Sequence, residues 1–139
     1  MTRKTPDTSK AVPWTITPTP KPSRETFNSV ALRALIYEFS FTDPTRTDSL
    51  IKRRLRRAAL GPFDAERITR LRALKNLVQA EVDKRERSRF YIGTHSRYAE
   101  LGDFDIGRLT ALVRASEPSV TAREARWFAQ FAVFVYHLL

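Results

Sequence analysis

The sequence predicts an all-α protein with about five helices in one small domain, residues 23–139, which follows an extended arm, residues 1–22. Apolar residues recur every three or four positions in five separate segments, the spacing of one face of a helix. Helix-capping and helix-stopping residues bracket most of these segments. No convincing strand alternation and no internal repeat occurs. The chain has 139 residues, which suits one domain with its own core and is short for two.

The predicted arm is rich in threonine, proline and lysine. Its main apolar residues are Trp14 and Ile16, which are too few to build a core, and its five prolines exclude an amphipathic helix. An arm of this kind either becomes ordered on a partner or is a flexible tail without a function. The candidate nucleic-acid contacts in and just after the arm are Arg3, Lys4, Lys10, Lys21 and Arg24.

The first predicted helix starts after Pro22, with Ser23 as its N-cap, and ends at the Thr42-Asp43-Pro44 sequence. Proline disfavours helical geometry in the residue before it, so Pro44 is taken as a stop. The apolar surface of the segment is wide, and we therefore expect this helix to be central in the fold. Its apolar members are Phe27, Ala31, Leu32, Ala34, Leu35, Ile36 and Phe39.

The second predicted helix has Thr47 or Asp48 as its N-cap and ends at Gly61-Pro62. At a helical rotation of about 100° per residue, Ile51 and Leu55 share one stripe, which docks the helix. The cations of this helix fall on the opposite arc of roughly 140°, or on its flank, and point outward together. These cations are Lys52, Arg53, Arg54, Arg56 and Arg57.

The third and longest predicted helix runs from its N-cap, Asp64, into the charged stretch 83–90. Phe63 and Ile68 occupy the two positions of a hydrophobic staple. Acid–arginine pairs four residues apart, such as Glu66 with Arg70, support the helix surface. The same charge pattern predicts that the stretch 83–90 is a solvated helix end rather than a binding site.

A fourth helix is predicted after Asp103 or Asp105, either of which can act as N-cap, and a fifth begins at Thr121. Glu124, three residues after Thr121, completes a capping box. From Trp127 to Leu139 this last helix is apolar on nearly every side, which favours burial in the core and leaves a hydrophobic docking surface as the alternative. The candidate contacts for a protein partner are Trp127, Phe128, Phe131 and Phe134.

The net charge of +10 is unevenly distributed along the chain. Residues 1–92 hold 20 lysines and arginines against 10 acids, whereas residues 93–139 hold five of each. Such an excess favours polyanionic partners. We therefore expect the second helix and the arm to bind nucleic acid, DNA or RNA, mainly through backbone phosphates, with which arginine pairs well. Nothing in the sequence predicts base-specific contacts.

A structural or adaptor subunit of a multi-protein complex is the alternative interpretation. The basic face would then be solvated, and the protein would dock or self-associate through its apolar C-terminal helix. Residues 31–57 resemble the mitochondrial Leu-Tyr-Arg-motif proteins, which are three-helix adaptors with a basic second helix. The motif position reads Ala31-Leu32-Arg33, so the tyrosine is missing, and no role is carried over from that family.

No enzyme, cofactor or metal site is predicted. The chain has no cysteine, and its two histidines, His95 and His137, lack metal-ligand spacing. No glycine-rich phosphate loop and no catalytic serine motif occurs. Glu100, Asp103 and Asp105 fit a turn followed by a helix cap better than a metal site. The residues around His95 that could stack on exposed bases, or simply pack on the domain, are Arg89, Tyr91, Arg97 and Tyr98.

The sequence shows no apolar run long enough to span a membrane and no secretory signal. We therefore expect an intracellular location, in a compartment that the sequence does not specify.

Overall fold

A computed structural model describes residues 25–93 and 103–138 of the chain. Within these ranges the fold has five α-helices and no β-strand, which confirms the predicted all-α class. An isolated antiparallel bridge joins Tyr91 to Phe104. The five helices are α1 (Phe27–Leu35), α2 (Pro44–Arg57), α3 (Ala65–Asp83), α4 (Ile106–Ser116) and α5 (Ala122–Val133). A 3₁₀ turn, Arg85–Arg87, follows α3, and a π-helical turn, Phe134–Leu138, follows α5.

Helix α1 starts later than predicted. Its N-cap is Thr26, because Thr26 and Ser29 form a reciprocal capping box: each backbone N–H donates to the hydroxyl of the other residue, at 2.9 and 3.0 Å. Ser23, the predicted cap, lies outside the described residues. Eight of the nine residues of α1 are buried, so the expectation of a central helix is confirmed.

Helix α1 also ends earlier than predicted, at Leu35 instead of near residue 42. Side chains from later elements donate hydrogen bonds to two backbone carbonyls just beyond its end. The Tyr136 hydroxyl donates to the Ile36 carbonyl at 2.6 Å, and Lys75 Nζ donates to the Glu38 carbonyl at 2.5 Å. These long-range partners satisfy the backbone there without a continued helix.

Helix α2 begins at Pro44, so the proline predicted to stop the first helix in fact opens the second. Asp43 is the N-cap and accepts a hydrogen bond from the Thr45 backbone N–H at 3.0 Å. Pro44 takes the first helical position, where its missing N–H leaves no bond unmade. Thr47 and Asp48, the two predicted caps, lie inside the helix, and the predicted start was wrong by about one turn.

Helix α2 ends in a Schellman motif with Ala59 at the left-handed position, where φ is 55°. The Leu60 N–H donates to the Leu55 carbonyl at 3.0 Å, and the Ala59 N–H donates to the Arg56 carbonyl at 3.1 Å. The predicted stop, Gly61-Pro62, lies beyond this motif. A Cβ in the left-handed region costs roughly 1–2 kcal/mol, so the end of α2 is strained in a way that glycine would avoid.

Helix α3 begins after Asp64, the predicted N-cap, whose side chain accepts from the Arg67 backbone N–H at 3.1 Å. The helix ends at Asp83 and does not continue through the stretch 83–90. Arg85 has a φ of 53°, a left-handed conformation that interrupts a right-handed helix. Residues 83–87 are exposed, as predicted for a solvated end, but Ser88 and Phe90 in the same stretch are buried, so the prediction is correct only for its first part.

Two further capping predictions are confirmed. Asp105 is the N-cap of α4 and accepts from the Arg108 backbone N–H at 3.1 Å. Thr121 and Glu124 form the predicted capping box of α5. The sequence did not predict the π-helical turn that follows α5.

Buried apolar residues from all five helices form one hydrophobic cluster. Helix α1 packs against α2, α3 and α5, and α4 packs mainly on α5. The core therefore closes around α1. Its largest fully buried side chains are Leu32, Leu35, Ile36, Ile51, Leu55, Ile68, Leu71, Val78, Val82, Phe104, Leu109 and Phe128.

One buried carboxylate joins the first and last helices. Glu124, 3% exposed, accepts from the Thr121 backbone N–H at 2.9 Å and from the hydroxyl of Thr26, the N-cap of α1. Asn28 adds a longer bond of 3.4 Å to the same carboxylate. Because both helices begin at this point, the negative charge also lies near two positive helix ends.

Replacement of Glu124 by alanine is expected to lower the free energy of unfolding by about 2 kcal/mol, because partly buried donors at two helix starts would lose their acceptor. Urea unfolding followed by circular dichroism measures this loss. Glu66→Ala is the matched control, since Glu66 also lies in a first helical turn but is exposed, and it should cost less than about 1 kcal/mol. Equal losses in the two variants would contradict the role assigned to Glu124.

Replacement of Ala59 by glycine is expected to raise the stability by about 0.5–1 kcal/mol, because relief of the left-handed strain exceeds the added backbone entropy of the unfolded chain. Ala58→Gly is the neighbouring control. Ala58 has a φ of −90°, so glycine there relieves no strain and should destabilise. Thermal unfolding of both variants tests the assignment, which fails if Ala59→Gly is the less stable of the two.

Candidate functional site: the basic face of α2

Helix α2 exposes a row of cations on the side that faces away from the core. This basic face consists of Arg46, Lys52, Arg53, Arg56 and Arg57, which are all exposed. Arg54 lies on its flank and is half-buried. Thr47, Ile51 and Leu55, on the opposite side, are buried and dock the helix against the core. The structure therefore brings four of the five predicted cations of α2 onto one exposed surface.

Arg46 belongs to this face although the sequence interpretation missed it. The predicted helix started too late to include it, whereas the true helix begins at Pro44. Arg46 precedes Arg53 by seven residues, close to two full turns, so both lie on the same stripe. From Arg46 to Arg57 the face extends about 16 Å along the helix axis. The signal that would have found Arg46 is the Asp43-Pro44 pair, an N-cap followed by proline.

The cations of α2 have no carboxylate partner in the part of the chain that the structure describes. The helix contains six cations, the five of the basic face and Arg54, against one acid, Asp48. None of the ion pairs within the described ranges engages any of the six. Lys52 Nζ lies 4.9 Å from the centre of the Phe63 ring, which is an attraction but not a neutralisation. Within the described ranges, therefore, no acidic side chain compensates the positive charge of this surface.

A buried ionic cluster holds the opposite side of α2. Arg72 donates from Nε and Nη2 to the two oxygens of Glu38, at 2.6 and 2.8 Å, and from Nη2 to Asp48 at 2.8 Å. Burial by itself would raise the pKa of Glu38, but hydrogen bonds from Arg72 and Thr47 and the charges of Arg72 and Lys75 lower it below its ordinary value. The pKa of Arg72 is raised, chiefly by its hydrogen bonds to Glu38. Asp48, the one acid of α2, thus pairs with Arg72 of α3, whereas the cations of the basic face are exposed to solvent.

Lys75 is the second charged group at the inner side of this cluster. It is 3% exposed, and its Nζ donates to the Glu38 carbonyl. Burial lowers the pKa of Lys75, the Glu38 charge opposes that shift, and the Arg72 charge adds to it. The sequence interpretation singled out neither Arg72 nor Lys75. Lys75 follows Leu71 by four positions and therefore lies on the apolar stripe of α3.

The chain enters the described fold beside the basic face. Glu25, its first described residue, forms an exposed ion pair with Arg33 at 3.1 Å. Both line a hollow of about 460 Å³ together with Arg54 and Arg57 of α2. The described part of the chain therefore begins next to these two cations. Its five candidate contacts, at positions 3, 4, 10, 21 and 24, lie outside the described residues.

The aromatic candidates at the C-terminus separate into buried and exposed residues. Phe128 is fully buried and Trp127 is 5% exposed, so both are core residues of the chain itself. Phe131 is half-buried, and Phe134, in the π-helical turn, is 41% exposed. The large apolar content of this segment thus serves mainly the core, the reading the sequence favoured.

The loop candidates are only partly described. His95, Arg97, Tyr98 and Glu100 lie outside the described residues. Tyr91 is half-buried, with its ring perpendicular to Phe104 at a centroid distance of 5.4 Å. Asp103 does not cap α4. Instead its Oδ2 lies 3.3 Å from Nε2 of His137, and both residues are buried.

The buried Asp103–His137 pair was not predicted from the sequence, because the two residues are 34 positions apart. Arg85 Nη1 lies 3.5 Å from Nδ1 of His137, and a guanidinium only donates, so Nδ1 is assigned as an acceptor and Nε2 carries the proton. Aromatic rings surround the imidazole, with Phe104 at 5.1 Å. The pair ties the C-terminal turn to the segment before α4.

Among the described residues, no group of three or more metal-binding side chains converges on one point. None of the helices in those ranges combines the length and the apolar character needed to cross a membrane. Neither a protein-family model, nor a curated protein, nor a solved structure matches the chain. The resemblance of residues 31–57 to the Leu-Tyr-Arg-motif family thus gains no support from a family match.

The ionic cluster predicts a pH dependence of stability. The pKa of Glu38 is lower in the fold than its ordinary value of 4.5, so its stabilising contribution is complete above pH 4.5 and is lost as the pH falls through the lowered value. Glu38→Gln should therefore be less stable than the native protein at pH 7, and the two should converge in acid. Urea unfolding at a series of pH values gives the difference.

Asp83→Asn is the control for this experiment because its effect has the opposite sign. Partial burial raises the pKa of Asp83, and Arg85 only partly offsets that rise. A raised carboxyl pKa disfavours the charged form in the fold, so the asparagine variant should gain stability relative to the native protein at neutral pH. A Glu38→Gln difference that does not change with pH would contradict the ionic role of Glu38.

Proposed function

We propose that this chain is a non-enzymatic nucleic-acid-binding protein whose basic face on α2 contacts backbone phosphates, with the N-terminal arm as an additional basic contact. The observation that supports the proposal is the row of exposed cations on α2, none of which pairs with an acid among the residues that the structure describes. It extends about 16 Å, and phosphates of one DNA strand follow each other every 3.4 Å or so along the helix axis, so several phosphates lie within its length.

The arrangement of the cations favours binding over a passive role in solubility. Arg53 is three residues from Arg56 and four from Arg57, and like charges at these spacings destabilise a helix by about 0.2–0.5 kcal/mol per pair. Solubility requires no such concentration, because dispersed charge serves equally well. A polyanion would remove the repulsion and release counterions at the same time.

Contacts to phosphate, rather than base-specific contacts, are the proposed source of affinity. Arginine offers a planar fork that pairs with phosphate oxygens. Asparagine and glutamine, the usual readers of adenine, do not occur in α2, and Ser49 is the exposed hydroxyl between the cations. We therefore expect no adenine-specific contact from α2 and propose that its arginines act on phosphates.

An adaptor that docks on a protein partner remains the second candidate. Phe134 and the half-buried Phe131 are the parts of the C-terminal segment that a partner could reach, since Trp127 and Phe128 are in the core. This candidate predicts no measurable affinity for nucleic acid, and the experiment below therefore separates the two.

The test is the affinity of the purified protein for labelled duplex DNA, duplex RNA and single strands at roughly 50 and 200 mM salt. With four or five phosphate contacts, duplex DNA binding should weaken by two to three powers of ten across that range. Replacing Arg53, Arg56 and Arg57 together by glutamate should reduce affinity at the lower salt by at least about 100-fold and make the salt dependence shallower.

A matched triple variant controls for net charge. Arg87, Arg114 and Arg123 are exposed, lie outside α2, and give the same change in charge when all three become glutamate. This variant should retain much more of the affinity, while circular dichroism shows the same helix content in both. Equal losses would reject the basic face as the site, and no binding by the native protein at the lower salt would reject the function.

A further inference from the structure

A groove beside the basic face combines positive charge with an aromatic ring. It lies between the end of α1 and the first turns of α2 and has a volume of about 600 Å³. Tyr37, just after α1, lines the groove together with Arg46 and Arg53 of the basic face. The other described residues of the lining are apolar or carry a hydroxyl, and none of them is a carboxylate. The chemistry of the groove therefore suits an anion attached to a flat apolar group.

Tyr37 is exposed and yet held in position. Half of the residue is accessible, at 50%. Its ring packs at 80° to the ring of Phe131, with the centroids 5.9 Å apart, and Phe131 stacks on the buried Trp127 at 5.5 Å. An aromatic side chain that is already fixed by core residues loses little conformational entropy when a ligand packs on it.

We propose that this groove binds an unpaired nucleotide, with the base against Tyr37 and the adjacent phosphates on Arg46 and Arg53, so that single-stranded nucleic acid is the preferred ligand. The inference rests on the proposed function and specifies which form of nucleic acid the protein prefers. The two arginines are separated by about 10 Å along α2, and their long side chains can converge on the phosphates on either side of one base. A base within a duplex is stacked on its neighbours and offers no free face to Tyr37.

An exposed aromatic ring is not sufficient for a base-binding site, as a second hollow, beside Phe41, illustrates. Phe41 is 84% exposed, more than Tyr37, and stacks on Phe39 at 5.7 Å. The hollow that Phe41 borders is lined by the carboxylates of Glu38 and Asp83 as well as by Arg72 and Lys75, so its described charges balance. A hollow with balanced charges attracts a phosphate backbone less than the groove at Tyr37, where the described lining holds two cations and no acid.

The experiment measures the affinities of a labelled single-stranded oligothymidylate and of a labelled duplex for four proteins, at roughly 50 and 200 mM salt. The proteins are the native chain and the variants Tyr37→Leu, Tyr37→Phe and Phe41→Leu. Leucine preserves apolar packing against Phe131 but removes the ring face, and circular dichroism checks the fold. Tyr37→Leu should weaken single-strand binding by about 10-fold or more, the range measured for loss of one stacked base, and should leave duplex binding unchanged.

The remaining variants and the salt series test whether the effect belongs to the aromatic ring of Tyr37. Tyr37→Phe keeps the ring and should bind the single strand as the native protein does, and Phe41→Leu should also bind normally. The salt dependence of single-strand binding by Tyr37→Leu should remain that of the native protein, because the substitution removes no phosphate contact.

Failure of this inference can be distinguished from failure of the proposed function. If the glutamate triple variant of α2 loses binding while Tyr37→Leu retains full single-strand affinity, the phosphate-binding function stands and the groove is not a base site. Equal losses for duplex and single strand in Tyr37→Leu, or an equal loss in Phe41→Leu, also overturn the inference. If the native chain binds neither oligonucleotide, both proposals are rejected.

Discussion

Helix α1 lies at the centre of this fold, and side chains from distant parts of the chain bind the residues just outside both of its ends. At its start, the Glu124 carboxylate accepts from the N-cap hydroxyl of Thr26 while it also completes the capping box of α5. At its end, Tyr136 and Lys75 donate to carbonyls that a longer helix would have used. A helix that is buried on nearly every side needs such partners, because water cannot reach its terminal backbone groups.

The end of α1 sets where the basic face can begin. Because the helix stops at Leu35, the chain can turn and present Asp43 and Pro44 as the start of α2. That earlier start adds Arg46 to the basic face and places it across the groove from Tyr37. The backbone bonds that close a helix in the core thus set the length of the charged surface outside it.

The cations of the described residues lie in two different environments. Arg72 and Lys75 point inward, where carboxylates and backbone carbonyls satisfy them, and the ionic cluster they form fixes the inner side of α2. The arginines of the basic face point outward without a partner in the described residues. Composition cannot distinguish these two populations, since both count equally towards a net charge of +10. Only their position relative to the core separates a structural charge from one that is available to a ligand.

The features that the sequence predicted are those with short-range causes. Asp64, Asp105 and the Thr121–Glu124 box act within one helical turn, and the outward arc of α2 follows from periodicity alone. Pro44 was misread because a proline both ends the helix before it and starts the helix after it, and local sequence does not choose between these effects.

What the sequence could not predict depends on contacts across the fold. The carbonyl of Ile36, just beyond the end of α1, accepts a hydrogen bond from Tyr136, 100 residues further along the chain. The Asp103–His137 pair and the ionic cluster around Arg72 likewise join residues that are far apart in sequence. Tyr37 could not be recognised as part of a groove, because its neighbours there come from a different helix.

The row of rings from Tyr37 through Phe131 to Trp127 also has an optical consequence. Trp127 is one of two tryptophans in the chain, and its buried indole lies two ring contacts away from the groove. A small displacement of Tyr37 would pass through Phe131 to that indole and change its emission. The fold therefore contains its own fluorophore for events at the end of α1, and the groove can be observed without attaching a dye to the protein.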